Sequence, residues 1–142
     1  MQLQRPSGKP DERGFTLVEL LVVMIIIGVL AAIAIPVFLN QRKKAHDSAA
    51  KADVSTIGKE IATYYVNRTG TPTVTQVSRR YRVAGVDVGA SSANVVVFNR
   101  FFASDSSWCV TVRNSKGNKA VAGYKYSAAG GLAQGACAAA TG

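Results

Sequence analysis

Gly14-Phe15-Thr16-Leu17-Val18-Glu19, followed without a break by the uncharged apolar run Leu20–Leu39, is the stretch on which the reading of this chain turns. At ~1.5 Å per helical residue, about 20 residues cross the ~30 Å hydrocarbon core of a bilayer. A helix buried in a soluble protein is rarely apolar on every side for so long. The run therefore predicts a membrane-spanning helix, and the residues after it predict a small domain on the far side.

Glu19 is the exception inside this greasy segment. A carboxylate at the centre of a membrane helix costs roughly 2.5–3.5 kcal/mol on insertion scales, and less near an end. Glu19 lies only about four residues, or ~6 Å, from the start of the segment. Two readings follow: it snorkels to the headgroups, or it needs a cationic partner within the apolar layer.

Gly14-Phe15-Thr16-Leu17-Val18-Glu19-Leu20-Leu21 resembles the processing motif of type IV pilins and their pseudopilin relatives. The resemblance covers about the first quarter of the chain; beyond it the likeness is in architecture. It implies a leader peptide, residues 1–14, cut between Gly14 and Phe15 by a prepilin peptidase that also methylates the Phe15 nitrogen. It also implies that the new Phe15 ammonium of one subunit pairs with Glu19 of its neighbour. Pro36 matches a proline common in the family's helix, and with Gly28 it marks a weak point where relatives unwind in the filament. The partners implied are the inner membrane, other copies in a helical filament, an assembly ATPase and a platform membrane protein. The leader is placed in the cytoplasm on the resemblance. The positive-inside rule is ambiguous, since Arg42-Lys43-Lys44 rivals the leader's Arg5, Lys9 and Arg13. A competing reading is an ordinary signal peptide cut after Ala34, which would release a secreted protein beginning at Ile35.

The chain has 142 residues and a net charge of +9. Three basic and two acidic residues fall in the leader, so processing would lower the excess by one unit. Such an excess favours anionic surfaces and nucleic acid without specifying either. A head of about a hundred residues buries a limited core and gains from a staple. Cys109 and Cys137 are far apart and form no Cys-x-x-Cys pair, which argues against zinc or a thioredoxin-like site. In an exported domain they read as a disulfide, with two buried free thiols as the alternative.

The predicted fold class is α+β: a long helix over Phe15–Asn67 laid on a small antiparallel sheet. Its first part, 15–39, is the transmembrane and assembly segment. Its second part, 40–70, is amphipathic, with Ala50, Val54, Ile57, Ile61, Tyr64 and Tyr65 on one stripe. Asn67-Arg68-Thr69-Gly70, then Pro72, supplies the stop. Residues 71–142 read as a head of three or four strands. One is expected through Val77, Tyr81 and Val83, with Arg79 misplaced on its apolar side. Others fall at Asn94–Phe98 and Trp108–Arg113, and a last one alternates from Ala120 to Tyr126. The Ala/Gly-rich tail follows, pinned by Cys137.

Catalytic chemistry finds little support. His46, the single histidine, sits in the basic patch after the apolar run and reads as a solvated surface residue. No phosphate-binding glycine loop or nucleophile motif is present. A calcium site at Asp105 with the Ser104, Ser106 and Ser107 oxygens would have one carboxylate, too thin a set to assign a metal. No cofactor is assigned. Arg79-Arg80-Tyr81-Arg82 is the candidate nucleic-acid contact, basic groups for phosphate and an aromatic for stacking; the competing reading is the solvent face of a strand. The sequence thus reads as a non-enzymatic structural subunit of a type IV pilus, in the membrane before assembly and on the cell surface afterwards. A pseudopilin of a secretion or DNA-uptake apparatus and a secreted DNA-binding module are the alternatives.

Overall fold

A computed structural model describes residues 14–138. The expected leader, apart from Gly14, lies outside the described residues. One α-helix, α1 (Leu17–Asn67), is followed by seven β-strands. The chain divides into two units, one up to Val37 and one from Phe38 onward.

In the first unit α1 begins at Leu17, directly after Thr16, and runs without interruption through Gly28 and Pro36. It contains an 18-residue window of mean hydropathy 3.1, none of it buried, and is long and apolar enough to cross a membrane.

In the second unit α1 carries Ala50, Val54, Ile57 and Ile61 on one stripe, all fully buried. Two further positions on the buried side are aspartates, Asp47 and Asp53, and a third is Gly58. After Asn67 the helix closes with the Arg68 N–H donating to the Tyr64 carbonyl at 2.8 Å. Gly70 then turns the chain at φ +100°, a conformation that glycine takes without penalty.

The head holds two antiparallel sheets rather than the single sheet of three or four strands read from the sequence. The first is the meander β1 (Val74–Val77), β2 (Arg80–Val83), β3 (Val86–Ala90). The second is the meander β4 (Val95–Phe102), β5 (Trp108–Asn114), β6 (Tyr124–Ser127), β7 (Gly131–Gln134). The strand expected from Val77 to Val83 is two strands. Ser78 and Arg79 both take positive φ, 49° and 60°, and make a two-residue hairpin turn whose twist matches the flanking strands. Arg79 is therefore a turn residue, which removes its apparent misplacement. Ala84-Gly85 repeats the device between β2 and β3, at φ 51° and 83°. The strand expected from Ala120 starts only at Tyr124, because Gly123 sits at φ +109°. The Ala/Gly-rich tail contributes β7.

The core joins the helix stripe to both sheets. Val74, Tyr81 and Val83 come from the first; Val95, Trp108, Val110, Val112 and Tyr124 come from the second. The Gln76 side chain links the sheets: its amide donates to the Val95 carbonyl at 2.8 Å and accepts from the Val97 N–H at 3.0 Å. One side chain thus supplies the donor and acceptor that a paired strand would offer β4. Cys109 and Cys137 form a disulfide that fixes the tail to β5, with a Cα–Cα distance of 5.8 Å. Thr111 completes that junction by accepting from the Cys137 N–H at 2.8 Å.

Candidate functional site

The strongest candidate is the first turn of α1 and the apolar surface that follows it. Thr16 Oγ1 accepts from the Glu19 N–H at 3.2 Å, and Glu19 Oε2 accepts from the Thr16 N–H at 3.0 Å. This is a reciprocal capping box, which satisfies two of the N–H groups that a helix start leaves without partners. The Thr16 hydroxyl also donates to Glu19 Oε2 at 3.0 Å. Sequence reasoning treated Glu19 as a bare acid in hydrocarbon and missed the box. The signal was present, since Thr16-Leu17-Val18-Glu19 is the S/T-x-x-E pattern. Glu19 Oε1 has no hydrogen-bond partner among the described residues.

From Leu17 to Leu39 the large apolar side chains keep 47–81% of their surface exposed, and Phe15 keeps 92%. Every side of the helix is apolar, so no single face is set aside for a head. The Gly14–Phe15 bond lies in exposed, non-helical backbone just before α1. Among the described residues a Cβ at Gly28 would meet nothing within 4 Å.

The candidate nucleic-acid residues do not form one surface. Arg79 is exposed in its turn, and Arg82 is exposed on β2. Arg80 is engaged by Asp87, with Nε to Oδ2 at 2.6 Å and a second guanidinium nitrogen to Oδ1 at 2.8 Å. That partner holds the Asp87 carboxyl below the usual carboxylate range. Tyr81 points into the core at 1% exposure, so the expected stacking aromatic is withdrawn from solvent. Its hydroxyl donates to Asp53 Oδ2 at 2.8 Å. Burial first, and then the Asp53 hydrogen bond, push the Tyr81 hydroxyl pKa well above its ordinary value.

Other polar residues build the head rather than a site. Asp47 Oδ1 accepts from the N–H groups of Asn118, Lys119 and Ala120 at 2.9, 2.9 and 2.8 Å. Asp53 also accepts from the Ser92 N–H and hydroxyl, each at 2.8 Å. His46 is half-buried rather than fully solvated, and its carbonyl accepts from Asn114 Nδ2 at 3.4 Å. Among the described residues no three His, Cys, Asp or Glu side chains gather into a set able to hold a metal ion.

An exposed apolar helix, capped by its own glutamate and continued in sequence by a disulfide-bonded two-sheet head, defines a membrane-anchored subunit. Residues 9–35 match the family model described as the prokaryotic N-terminal methylation motif. The chain is 32% identical over 107 residues to the type IV wide pilus major component PilA4 of Thermus thermophilus, covering 75% of this chain and 77% of that one. It is 34% identical over 65 residues to the type II secretion system core protein G of Dickeya chrysanthemi, covering 46% of this chain and 42% of that one. It is 48% identical over 48 residues to the type IV major pilin protein PilA of Myxococcus xanthus, covering 34% of this chain and 22% of that one. No solved structure matches. The chain belongs to the type IV pilin family.

Proposed function

We propose that this chain is a type IV prepilin, a structural subunit cut between Gly14 and Phe15, methylated at Phe15 and polymerised through residues 15–39. The observation that carries the reading is the wholly exposed apolar helix opening on one carboxylate directly after a glycine. Before the cut, Phe15 has an amide nitrogen and Glu19 has only its own capping box, which leaves Oε1 open. After the cut, Phe15 carries an ammonium, and methylation keeps the charge. A neighbouring copy's ammonium then has Glu19 Oε1 to approach. In a low-dielectric bundle the unpaired charge is costly and the paired one much less so. Proteolysis thereby switches on docking, the apolar helices bury against one another instead of lipid, and the heads form the outer surface.

The prepilin peptidase, an assembly ATPase and a platform protein are the partners this route requires. The subunit waits in the cytoplasmic membrane and ends in an extracellular pilus. A second reading, a pseudopilin, is favoured by the likeness to core protein G. The pilin is preferred because the likeness to PilA4 runs over 107 residues, more than the helix supplies, and so extends into the head. The mass of the first peptide of protein recovered from cells tests the cut: methylated Phe15 is expected, and Met1 or Ile35 refutes the reading. Glu19→Val should abolish filaments while leaving the cut intact; normal assembly by that variant removes Glu19 from the mechanism.

A further inference from the structure

Directly after the apolar run come three consecutive basic residues, Arg42, Lys43 and Lys44, all exposed. The proposed function gives them no role, and their place runs against the positive-inside rule once the leader's cations are removed. With Glu19 at one edge of the hydrocarbon, the uncharged run ends at the other edge, at Leu39. At ~1.5 Å per residue, Arg42 to Lys44 then lie about 4–8 Å further along, within the ~5–8 Å headgroup layer. Three successive helical positions, about 100° apart, fan across about 200° of the circumference, so they form a broad collar rather than a stripe. The Arg42 guanidinium lies over the Phe38 ring at 5.9 Å, an aromatic and a cation stacked where the interface is expected.

The chain cannot supply the counter-ions. Past the leader its acids are Glu19, Asp47, Asp53, Glu60, Asp87 and Asp105. Asp47 and Asp53 are buried on backbone and hydroxyl donors, and Asp87 is held by Arg80. Glu19 belongs to the far end of the run. Glu60 and Asp105 are left, too few to neutralise a collar of three whether they come from this copy or another. Among the described residues no carboxylate forms a salt bridge with Arg42, Lys43 or Lys44.

We propose that Arg42, Lys43 and Lys44 bind the phosphodiester headgroups of anionic phospholipids in the leaflet facing the head. They would thereby fix the depth of the waiting subunit and resist its extraction until filament contacts replace the lipid. The inference rests on the membrane-waiting stage of the proposed function. Native mass spectrometry of the full-length chain, titrated with phosphatidylglycerol and with phosphatidylcholine, tests it. Retention of phosphatidylglycerol should exceed that of phosphatidylcholine by about fivefold or more, the effect of roughly one basic residue at an anionic surface. The triple variant Arg42→Gln, Lys43→Gln, Lys44→Gln should lose the preference, and Arg42→Lys with Lys43→Arg and Lys44→Arg should keep it. Excess inorganic phosphate should not displace the lipid. Equal retention of both lipids, a preference that survives the glutamine variant, or displacement by free phosphate each overturns the proposal. All variants keep Gly14, Phe15 and Glu19, so their cut position and filament yield report separately on the pilin reading.

Discussion

Gly58→Ala sets two opposing effects of known size against each other. Gly58 is buried in α1 against Tyr126 of β6. A Cβ there would sit 2.7 Å from Tyr126 Cβ and would overlap its Cγ and Cδ1 as well. Turning the ring about χ1 cannot relieve this, because Tyr126 Cβ moves only if β6 moves. The ring is also held, stacked on Trp108 at 6.1 Å, and Trp108 stacks in turn on Tyr65 at 6.5 Å. Helix propensity favours alanine over glycine by ~1 kcal/mol. Overpacking a tight site costs typically ~1–3 kcal/mol, and a clash with a fixed Cβ belongs at the upper end. The net is a loss of about 1–2 kcal/mol, which lowers Tm by roughly 5–15 °C for a head of about a hundred residues.

Thermal unfolding of the full chain in detergent, followed through the single Trp108, measures this shift. An unchanged or raised Tm refutes the packing argument. The sharper check is the sign in a Tyr126→Gly background, where Cβ, Cγ and Cδ1 are all gone. There Gly58→Ala should stabilise by about 1 kcal/mol. A loss of equal size in both backgrounds would show that Tyr126 is not what excludes the methyl group.

Removing the disulfide by Cys109→Ser with Cys137→Ser should cost ~3–4 kcal/mol on the chain-entropy model; the bridge spans a sequence separation of 28, and denaturant titration with and without reductant reads the loss. Asp47 is pushed up by burial, but the N–H groups of Ala120, Lys119 and Asn118, with Lys51 nearby, outweigh burial and leave its pKa below the ordinary value. Its contribution is therefore complete above the unfolded-state pKa near 3.8 and is lost as pH falls through the lower folded value. Hydrogen exchange at Ala120 should accelerate in that acid window in wild type, and Asp47→Ala should show the fast rate at neutral pH. Gln76→Leu leaves the Val95 carbonyl and the Val97 N–H unpaired, which should cost ~1–3 kcal/mol in the same denaturant titration.

The helix was legible because its two signals are local and strong. A charge-free run fixes the first part, and the spacing of Ala50, Val54, Ile57 and Ile61 fixes the second. The candidate site could be located at the helix start because Gly14, Phe15 and Glu19 sit within a few residues of one another, although Thr16's part in the cap was missed. The head was harder. Its hairpins turn at Ser78-Arg79 and Ala84-Gly85, where Ser78, Arg79 and Ala84 take positive φ without being glycine; Ser-Arg is not the Asn-Gly or Asp-Gly pair that such a turn favours. An alternating pattern running straight through such a turn looks like one longer strand. Tyr81 was placed with Val83 on the apolar side of its strand, and its burial agrees with that alternation; the stacking role also expected of it conflicts with the same pattern. Its partner Asp53 is 28 residues away in sequence and reads, alone, as an exposed helix acid.

Three of the four acids on α1, all but Glu60, share a use that leaves most of the chain's cations without a carboxylate partner. Glu19 accepts from the Thr16 N–H, Asp47 from three successive N–H groups of the 115–123 loop, and Asp53 from the Ser92 N–H. Each is spent on backbone donors rather than on a lysine or arginine. Buried N–H groups must be paired, and a carboxylate oxygen can serve several at once, so a head with limited core gains fixed loops from very few residues. The consequence is that the cations are left over. Among the described residues Arg80 is the cation held in a salt bridge, to Asp87. The positive excess is set by composition, and the internal use of the carboxylates leaves the cations unpaired as well. That excess must be neutralised by something outside the chain wherever the molecule enters a low-dielectric setting, and it concentrates at the point where the apolar run ends.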